Sequence, residues 1–407
     1  MQIKEQIQKR KAKGFEIAKS GKVKLKDKVW LVPSQSSNKY YSVTLKIDKS
    51  ECNCPDFVER GLKCKHIFAV EITITKEING SETKITKKIT YSQNWSNYDK
   101  AQTQQKELFM KLLFELCQTI PIEQIQVCKG RPKASMRDMV FDSALKVYTT
   151  FSLRRFMTDI KTAKELGYVE LLPHFSLVSK YMMKEELTPI LNEPITLSSL
   201  PLRSVETKFA VDSSGFRTSR YSQYMRVKYD MKEHKEHEWI KSHICCGVKT
   251  NIITAVEISG AYKGDSTKFV SLVANTHNSG FRIEEVSADK AYSSKDNLAF
   301  VNAIDGIAFI PFKSNAVGNS YTRNNRIWRK MYDYFTFNRE EFLEHYHKRS
   351  NVESTFNMLK TRFNDYIKSK DQTAQINELL LKVLCHNICV LVSEMFELNI
   401  PIDFSKS

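Results

Sequence analysis

The sequence predicts an α/β protein, with a mixed-sheet core preceded by a helical region and a small β-rich module. Three observations lead there. Between residues 204 and 370, short apolar runs that end on acidic residues alternate with helical patterns. Between residues 106 and 203, apolar residues recur at helical spacing and are cut by Ser, Pro and Gly. Ahead of these stand two β-rich runs and a tight group of Cys and His.

With 407 residues the chain has room for two or three domains at about 150 residues each. It is 41% hydrophobic and 27% charged, the balance of a folded chain with a polar surface. The net charge of +17 creates a field that draws in phosphates and points to a nucleic-acid partner, with a basic ribosomal or membrane-surface protein as the alternative. No run of about 18 apolar residues suggests a spanning helix. The Lys-rich start lacks the apolar stretch of a secretory signal. Nine cysteines, an odd number without regular spacing, do not form a secreted disulfide framework and fit a reducing cytoplasm.

Residues 1–28 hold ten Lys or Arg against three acidic residues and read as a basic helix or solvated arm. Val29 to Val32 and Tyr40 to Leu45 read as a hairpin around a polar turn. Then come Cys52-x-Cys54 and, after nine intervening residues, Cys64-x-His66. Three thiolates and one imidazole fill a tetrahedral zinc shell with no open position, which makes the site structural. A module of residues 29–80 is too small to rely on an apolar core alone. Residues 71 to 80 read as one further strand, and residues 81–105 as a polar linker.

The helical region, 106–203, starts with Leu108, Phe109, Leu112, Leu113 and Leu116 on one helix. Ser135, Ser152 and Ser176 are candidate N-caps, Gly167 a helix stop, and Thr188-Pro189 the start of a further helix. Arg131 and Lys133 sit on the basic turn Gly130-Arg131-Pro132-Lys133, suited to a phosphate or minor groove. Short helices and tight turns in a basic chain form either a DNA-reading helix pair or an ordinary bundle.

In the core, residues 204–370, a strand ends at Asp212 in Val211-Asp212-Ser213-Ser214-Gly215. Strands follow at Ile240 to Val248 and Ile252 to Ile258, with Cys245 and Cys246 on opposite faces, and then a helix from Asp265 or Ser266. A fourth strand again ends on an aspartate, Asp289, in Ala288-Asp289-Lys290-Ala291-Tyr292. A helix at Asn297 to Ile304 and a strand at Ile307 to Phe312 come next. Tyr346, Arg349, Glu353 and Lys360 then repeat at helical intervals and would share one face. Carboxylates on strand ends and a helix can converge on hard divalent cations, the apparatus of phosphodiester hydrolysis or transesterification. The charged run with His234 and His237 reads as a solvated loop, and Cys385 and Cys389 as core. Residues 371–407 form a C-terminal helix and tail.

Two family resemblances follow from these motifs. The Cys-x-Cys and Cys-x-His pairs behind a hairpin resemble the SWIM zinc finger, a module associated with DNA or protein binding. The aspartate motifs and the Tyr-x2-Arg-x3-Glu-x6-Lys pattern resemble a DDE transposase of the insertion-sequence type. That resemblance implies a ribonuclease-H-like catalytic core in which Asp212, Asp289 and Glu353 bind two Mg²⁺ or Mn²⁺ ions. It also implies that Tyr346, Arg349 and Lys360 hold the transposon end near the scissile phosphate. With it come double-stranded DNA partners (terminal inverted repeats and target DNA), a homodimer in the synaptic complex, and a nucleoid-associated place in a prokaryotic cytoplasm. Arg323, Arg326, Trp328, Arg329 and Lys330 would either meet the DNA strand or pack and solvate a helix, and Lys313 is a further phosphate contact. The alternatives are a domesticated, non-catalytic DNA-binding regulator and a related metal-dependent nuclease.

Overall fold

The computed structural model describes residues 2–20, 22–26, 29–35, 37, 39–44, 50–79, 94–121, 134–218, 239–316 and 326–404. Arg131, Lys133, Arg323, His234 and His237 lie outside the described residues. The chain forms two compact units, Met1–Gln93 and Asn94–Ser407.

The first unit opens with helix α1 (Gln2–Lys19). A four-stranded antiparallel sheet follows, in the order β1 (Lys24–Lys26), β2 (Val29–Pro33), β3 (Tyr40–Thr44), β4 (Glu51–Cys52). The expected hairpin is β2–β3, with Trp30 opposite Val43. Alternation buries Trp30, Val32 and Val43 on one face, against Ile17, Ile67 and Val70. Helix α2 (Pro55–Arg60) starts at Pro55 and stops at Gly61, whose φ of 64° suits a residue without Cβ. Residues 71–79, expected as a strand, are instead the second half of helix α3 (Lys65–Asn79). The β-branched run Ile72-Thr73-Ile74-Thr75 misleads, because packing overrides its preference: Thr73 turns its hydroxyl back onto the Ala69 carbonyl (2.8 Å). Helix α1 lies directly on α3 at Gly14, where a Cβ would sit 2.7 Å from that of Phe68.

In the second unit the expected linker ends early. Residues 95–103 form helix α4 (Trp95–Thr103), capped by Asn94 and tied by Asn97 Nδ2 to the Phe396 carbonyl at 2.8 Å. Helices α5 (Gln105–Thr119), α6 (Met136–Thr149), α7 (Leu153–Glu165), α8 (Phe175–Met182) and α9 (Leu187–Ser199) follow. Ser135 caps α6 as expected, accepting from the Asp138 N–H at 3.0 Å. The cap of helix α8 is His174, two residues before the expected Ser176.

The sheet order is β7 (Ile253–Gly260), β6 (Trp239–Gly247), β5 (Lys208–Arg217), β8 (Glu285–Ala288), β9 (Ile307–Phe309). Strands β5, β6 and β7 are antiparallel neighbours, while β5, β8 and β9 run parallel. This five-stranded mixed sheet is consistent with the core that the sequence resemblance implies. Helices α10 (Phe269–Asn278), α11 (Lys295–Ala303), α12 (Arg326–Phe337) and α13 (Arg339–Tyr346) contribute to the core on one face, with Phe209, Val211 and Cys245. Helices α14 (Ser350–Phe363) and α15 (Gln372–Glu397) pack on the other, with Ala210, Phe216, Ile244 and Cys246.

The helical region joins that second face. Side chains of α5 to α9 belong to the same core as α15, so these helices form a layer of the second unit. Helix α15 is long and apolar enough to span a membrane by composition, yet most of it is buried within this core. Its polar residues are matched there. Asn387 accepts from the Ile253 N–H (3.0 Å) and donates to the Ile253 carbonyl (2.8 Å). Lys382 donates to the carbonyls of Asn364 and Tyr366 at 3.1 and 2.7 Å. Cys385 and Cys389 are core residues, as expected.

Candidate active site and zinc cluster

In the first unit, the start of α3 carries Cys64 and His66 toward Cys52, at the end of β4, and Cys54. The Sγ and imidazole nitrogen atoms of the four lie within 4.8 Å of one another, and all four residues are buried. His66 Nδ1 stands 4.0 Å from Cys52 Sγ and 3.9 Å from Cys64 Sγ. Tetrahedral zinc with Zn–S of about 2.3 Å and Zn–N of about 2.0 Å needs separations close to these. Hydrogen bonding from Cys52, helped by His66 and the Ile67 N–H, lowers the Cys64 thiol to about 4. The donor set and its spacing fit zinc, and Nδ1 is the nitrogen aimed at the sulfurs.

In the second unit the carboxylates come together because β5 and β8 are adjacent and parallel. Val211 pairs with Ala288, so Asp212 and Asp289 follow side by side at the same level of the sheet. Asp212 projects to the same face as Ala210 and Phe216, the face that α14 covers. The peptide N–H of Ser213 donates to Asp212 Oδ1 at 2.8 Å, and that of Lys290 to Asp289 Oδ1 at 2.6 Å. These short local bonds fix Asp289 just past the end of β8 and Asp212 in the middle of β5, which does not stop at Asp212 as expected but stays paired with β6 as far as Arg217.

The polar face expected on one continuous helix is built from three pieces. Tyr346 ends α13, His347–Arg349 make a 3₁₀ turn, and Glu353 and Lys360 lie on α14. The pieces still converge. Arg349 reaches Asp212 Oδ2 with Nη2 and Glu353 Oε1 with Nη1, each at 2.8 Å. Lys360 Nζ donates to Ser214 Oγ at 2.7 Å and sits 5.2 Å from the centre of the Phe216 ring. Tyr346 is half-buried.

Burial raises the Asp212 pKa, against the pull of the Ser213 N–H and Arg349, and nearby Asp289 adds to the rise. Burial also raises the Tyr346 phenol and lowers the Lys360 ammonium. For Arg349, burial disfavours the charge, but Asp212 outweighs it and the net shift is upward. One cation, the Arg349 guanidinium, is thus seated between the carboxylates of Asp212 and Glu353, with Asp289 beside Asp212 on the next strand. Glu353, with 60% of its side chain exposed, leaves the site open to a large substrate.

The remaining expected contacts divide. Trp328 is buried against Phe312, ring centres 4.7 Å apart, while Arg326, Arg329 and Lys330 stay exposed, with Arg329 near Asp333 at 3.8 Å. Lys313 is exposed. Helix α6 is buried on nearly every side, whereas α7 leaves Arg154, Arg155, Lys161 and Lys164 exposed. A groove of about 590 Å³ lined by Ser259, Lys263, Lys268 and Lys370 includes none of the three carboxylates.

One buried group went unread in the sequence. Glu285, first in β8, lies 2.6 Å from Lys348 Nζ and 3.0 Å from His345 Nδ1 through Oε2, and 2.9 Å from Lys208 Nζ through Oε1. Burial works against its charge, yet the hydrogen bonds from His345, Lys348 and Lys208 hold it down at about 2. The available signal was the alternation Glu285, Ser287, Asp289 between apolar Val286 and Ala288.

No curated protein and no solved structure matches the chain. Two family models do: Transposase DDE domain over residues 203–388, and SWIM zinc finger over residues 38–74. The first span contains Asp212, Asp289, Glu353 and the turn that carries Arg349, and the second contains the four zinc-type ligands. The chain therefore carries a DDE-family transposase domain together with an N-terminal SWIM zinc finger.

Proposed function

We propose that the chain binds the ends of its own transposable element, cleaves phosphodiester bonds there and transfers the strand to target DNA. The observation that carries this reading is the cation position between Asp212 and Glu353, filled by Arg349, with Asp289 beside Asp212 on the next strand. On this reading Asp212, Asp289 and Glu353 hold two Mg²⁺ or Mn²⁺ ions. Such ions, when bound, activate the attacking water or 3′-hydroxyl and stabilise the leaving oxygen.

The other residues act on the DNA. Arg349, released from its carboxylate partners, offers a two-pronged donor to the phosphate. Lys360, anchored on Ser214, supplies a point charge farther along α14. Tyr346 packs against the strand end. The exposed basic side chains of α7, with Arg131 and Lys133, add sequence-independent attraction. The zinc finger serves as a structural module that contacts DNA or a partner protein. Two ends must be joined in one reaction, so the working form is a homodimer, acting on DNA in a prokaryotic cytoplasm.

The test is nicking of DNA that carries the sequences flanking the gene. Protein with Mg²⁺ should nick at a defined position. Asp212→Ala, Asp289→Ala and Glu353→Ala should each bind that DNA and leave it intact. Nicking by the triple alanine variant would refute the assignment.

A further inference from the structure

We infer that Glu285 is a positioning residue for the carboxylate site, and this rests on the metal-binding reading above. It clamps the His345–Lys348 segment onto β8 and so sets Arg349 and Glu353 opposite Asp289.

Side chains two apart on a strand share a face, so Glu285, Ser287 and Asp289 form one row at about 6.6 Å intervals. The first two members of that row hold one segment of backbone. Glu285 Oε2 accepts from Lys348 Nζ at 2.6 Å and from His345 Nδ1 at 3.0 Å. Ser287 Oγ donates to the His345 carbonyl at 3.2 Å. The His345 ring also stacks on Phe309 of β9, ring centres 4.4 Å apart and 8° from parallel. Directly after this clamped segment comes Arg349, and one helical turn later Glu353. The third member of the row, Asp289, thus faces a segment whose position its own strand dictates.

The same carboxylate reaches the third carrier. Its Oε1 pairs at 2.9 Å with Lys208, the first residue of β5, the strand that holds Asp212. One buried group therefore ties together the three pieces of chain that bring in Asp212, Asp289 and Glu353.

Stability alone is a poor reason for this arrangement. Glu285 is 8% exposed, and a buried ion network gains little over well-packed apolar residues because desolvation offsets the attraction. What it provides is registry: a charged, directional set fixes one spacing, whereas an apolar contact tolerates sliding. Groups that orient metal ligands from behind typically contribute about 10- to 100-fold in metal affinity or activity.

The experiment uses the full chain, loaded with zinc, in four variants: Glu285→Gln, Lys348→Met, Lys106→Met and Asp289→Ala. Lys106→Met is the comparison for stability, since it breaks an ion pair to the buried Asp159 (2.7 Å) in the helical layer. Mn²⁺ binding is measured by calorimetry, and hydrogen exchange follows the amides of residues 347–353. Glu285→Gln and Lys348→Met should weaken Mn²⁺ binding about 10- to 100-fold and speed exchange in that segment. Lys106→Met should lower the melting temperature and leave both readings at wild-type values. If Glu285→Gln and Lys348→Met behave like Lys106→Met, Glu285 is only a stabilising contact and the inference fails. Asp289→Ala separates the two claims: wild-type Mn²⁺ binding there removes the metal site itself, and the positioning role with it. Should Glu285→Gln fail to fold, Lys348→Met, a 27% exposed side chain, carries the same test.

Discussion

Arg349 bridges Asp212 and Glu353, with one guanidinium nitrogen 2.8 Å from each carboxylate. The ion pair joins the middle of β5 to the first turn of α14, and it neutralises two acidic groups that would otherwise repel across the site. Arg349 is thus both a tether for the free protein and a competitor for any cation that enters.

Replacing Arg349 should separate those two roles. Arg349→Gln is expected to bind Mn²⁺ at least as tightly as the wild type in the absence of DNA, because the competing cation is gone. The same variant should nick DNA about 10- to 100-fold more slowly, the effect of losing a charge-assisted contact worth about 1.5–3 kcal/mol. Calorimetry and single-turnover cleavage check the two halves. Weaker Mn²⁺ binding by Arg349→Gln would show that the arginine organises the carboxylates more than it competes.

The zinc cluster predicts a local unfolding. Structural zinc contributes about 10–16 kcal/mol in small modules, so a chelator should unfold the first unit. Hydrogen exchange should rise across residues 29–79, while the strands β5 and β8 keep their protection. Cys64→Ser should reproduce the chelator's effect. Unchanged protection of β2 and β3 after complete zinc removal would contradict a structural role.

Asp142 supplies a prediction about pH. Its side chain is buried in α6 with no hydrogen-bond partner on either carboxylate oxygen, and burial, with Asp138 adding, raises it to about 8. The folded chain therefore keeps a proton that the unfolded chain releases near pH 4, and this group's contribution to stability falls as pH rises from about 4 to about 8. Asp142→Asn removes that loss. The variant should match the wild type near pH 4 and exceed it by at least about 2 kcal/mol at pH 8, in denaturant melts at both values. Equal stability at pH 8 would mean that the carboxylate finds a partner in solution.

Asn387 joins α15 to the sheet edge at Ile253 by one accepted and one donated hydrogen bond. Asn387→Leu leaves both backbone groups of Ile253 unpaired in the core, at about 1–3 kcal/mol each. A drop of about 2–5 kcal/mol in the stability of the second unit is expected. A neutral substitution would indicate that water reaches this edge.

These features differ in how far the sequence disclosed them. The strand end at Asp289 was legible from a short apolar run closed by an acidic residue, whereas the same pattern at Asp212 misplaced the end: β5 runs on to Arg217, paired with β6, and Asp212 lies in mid-strand. The zinc ligands were legible from spacing, since a closed tetrahedral shell restricts what can lie between them. Residues 71–79 were not, because the strand preference of Ile72 to Thr75 is weaker than the packing of α1 on α3. Helix α4 was hidden by its polarity: among its nine residues only Ala101 is buried. The helical layer looked like a domain because apolar spacing shows that a helix is buried but not against what. Long-range contacts settled that, through α15. The inward turn of Arg349 to Asp212 is a pairing across 137 residues that no local pattern carries.

The most direct measurement is Mg²⁺-dependent nicking of the element's end by Glu353→Gln, which keeps the shape of the side chain and removes its charge. DNA binding at wild-type affinity with nicking abolished is the predicted result. Nicking at the wild-type rate would contradict the carboxylate site at the centre of this account.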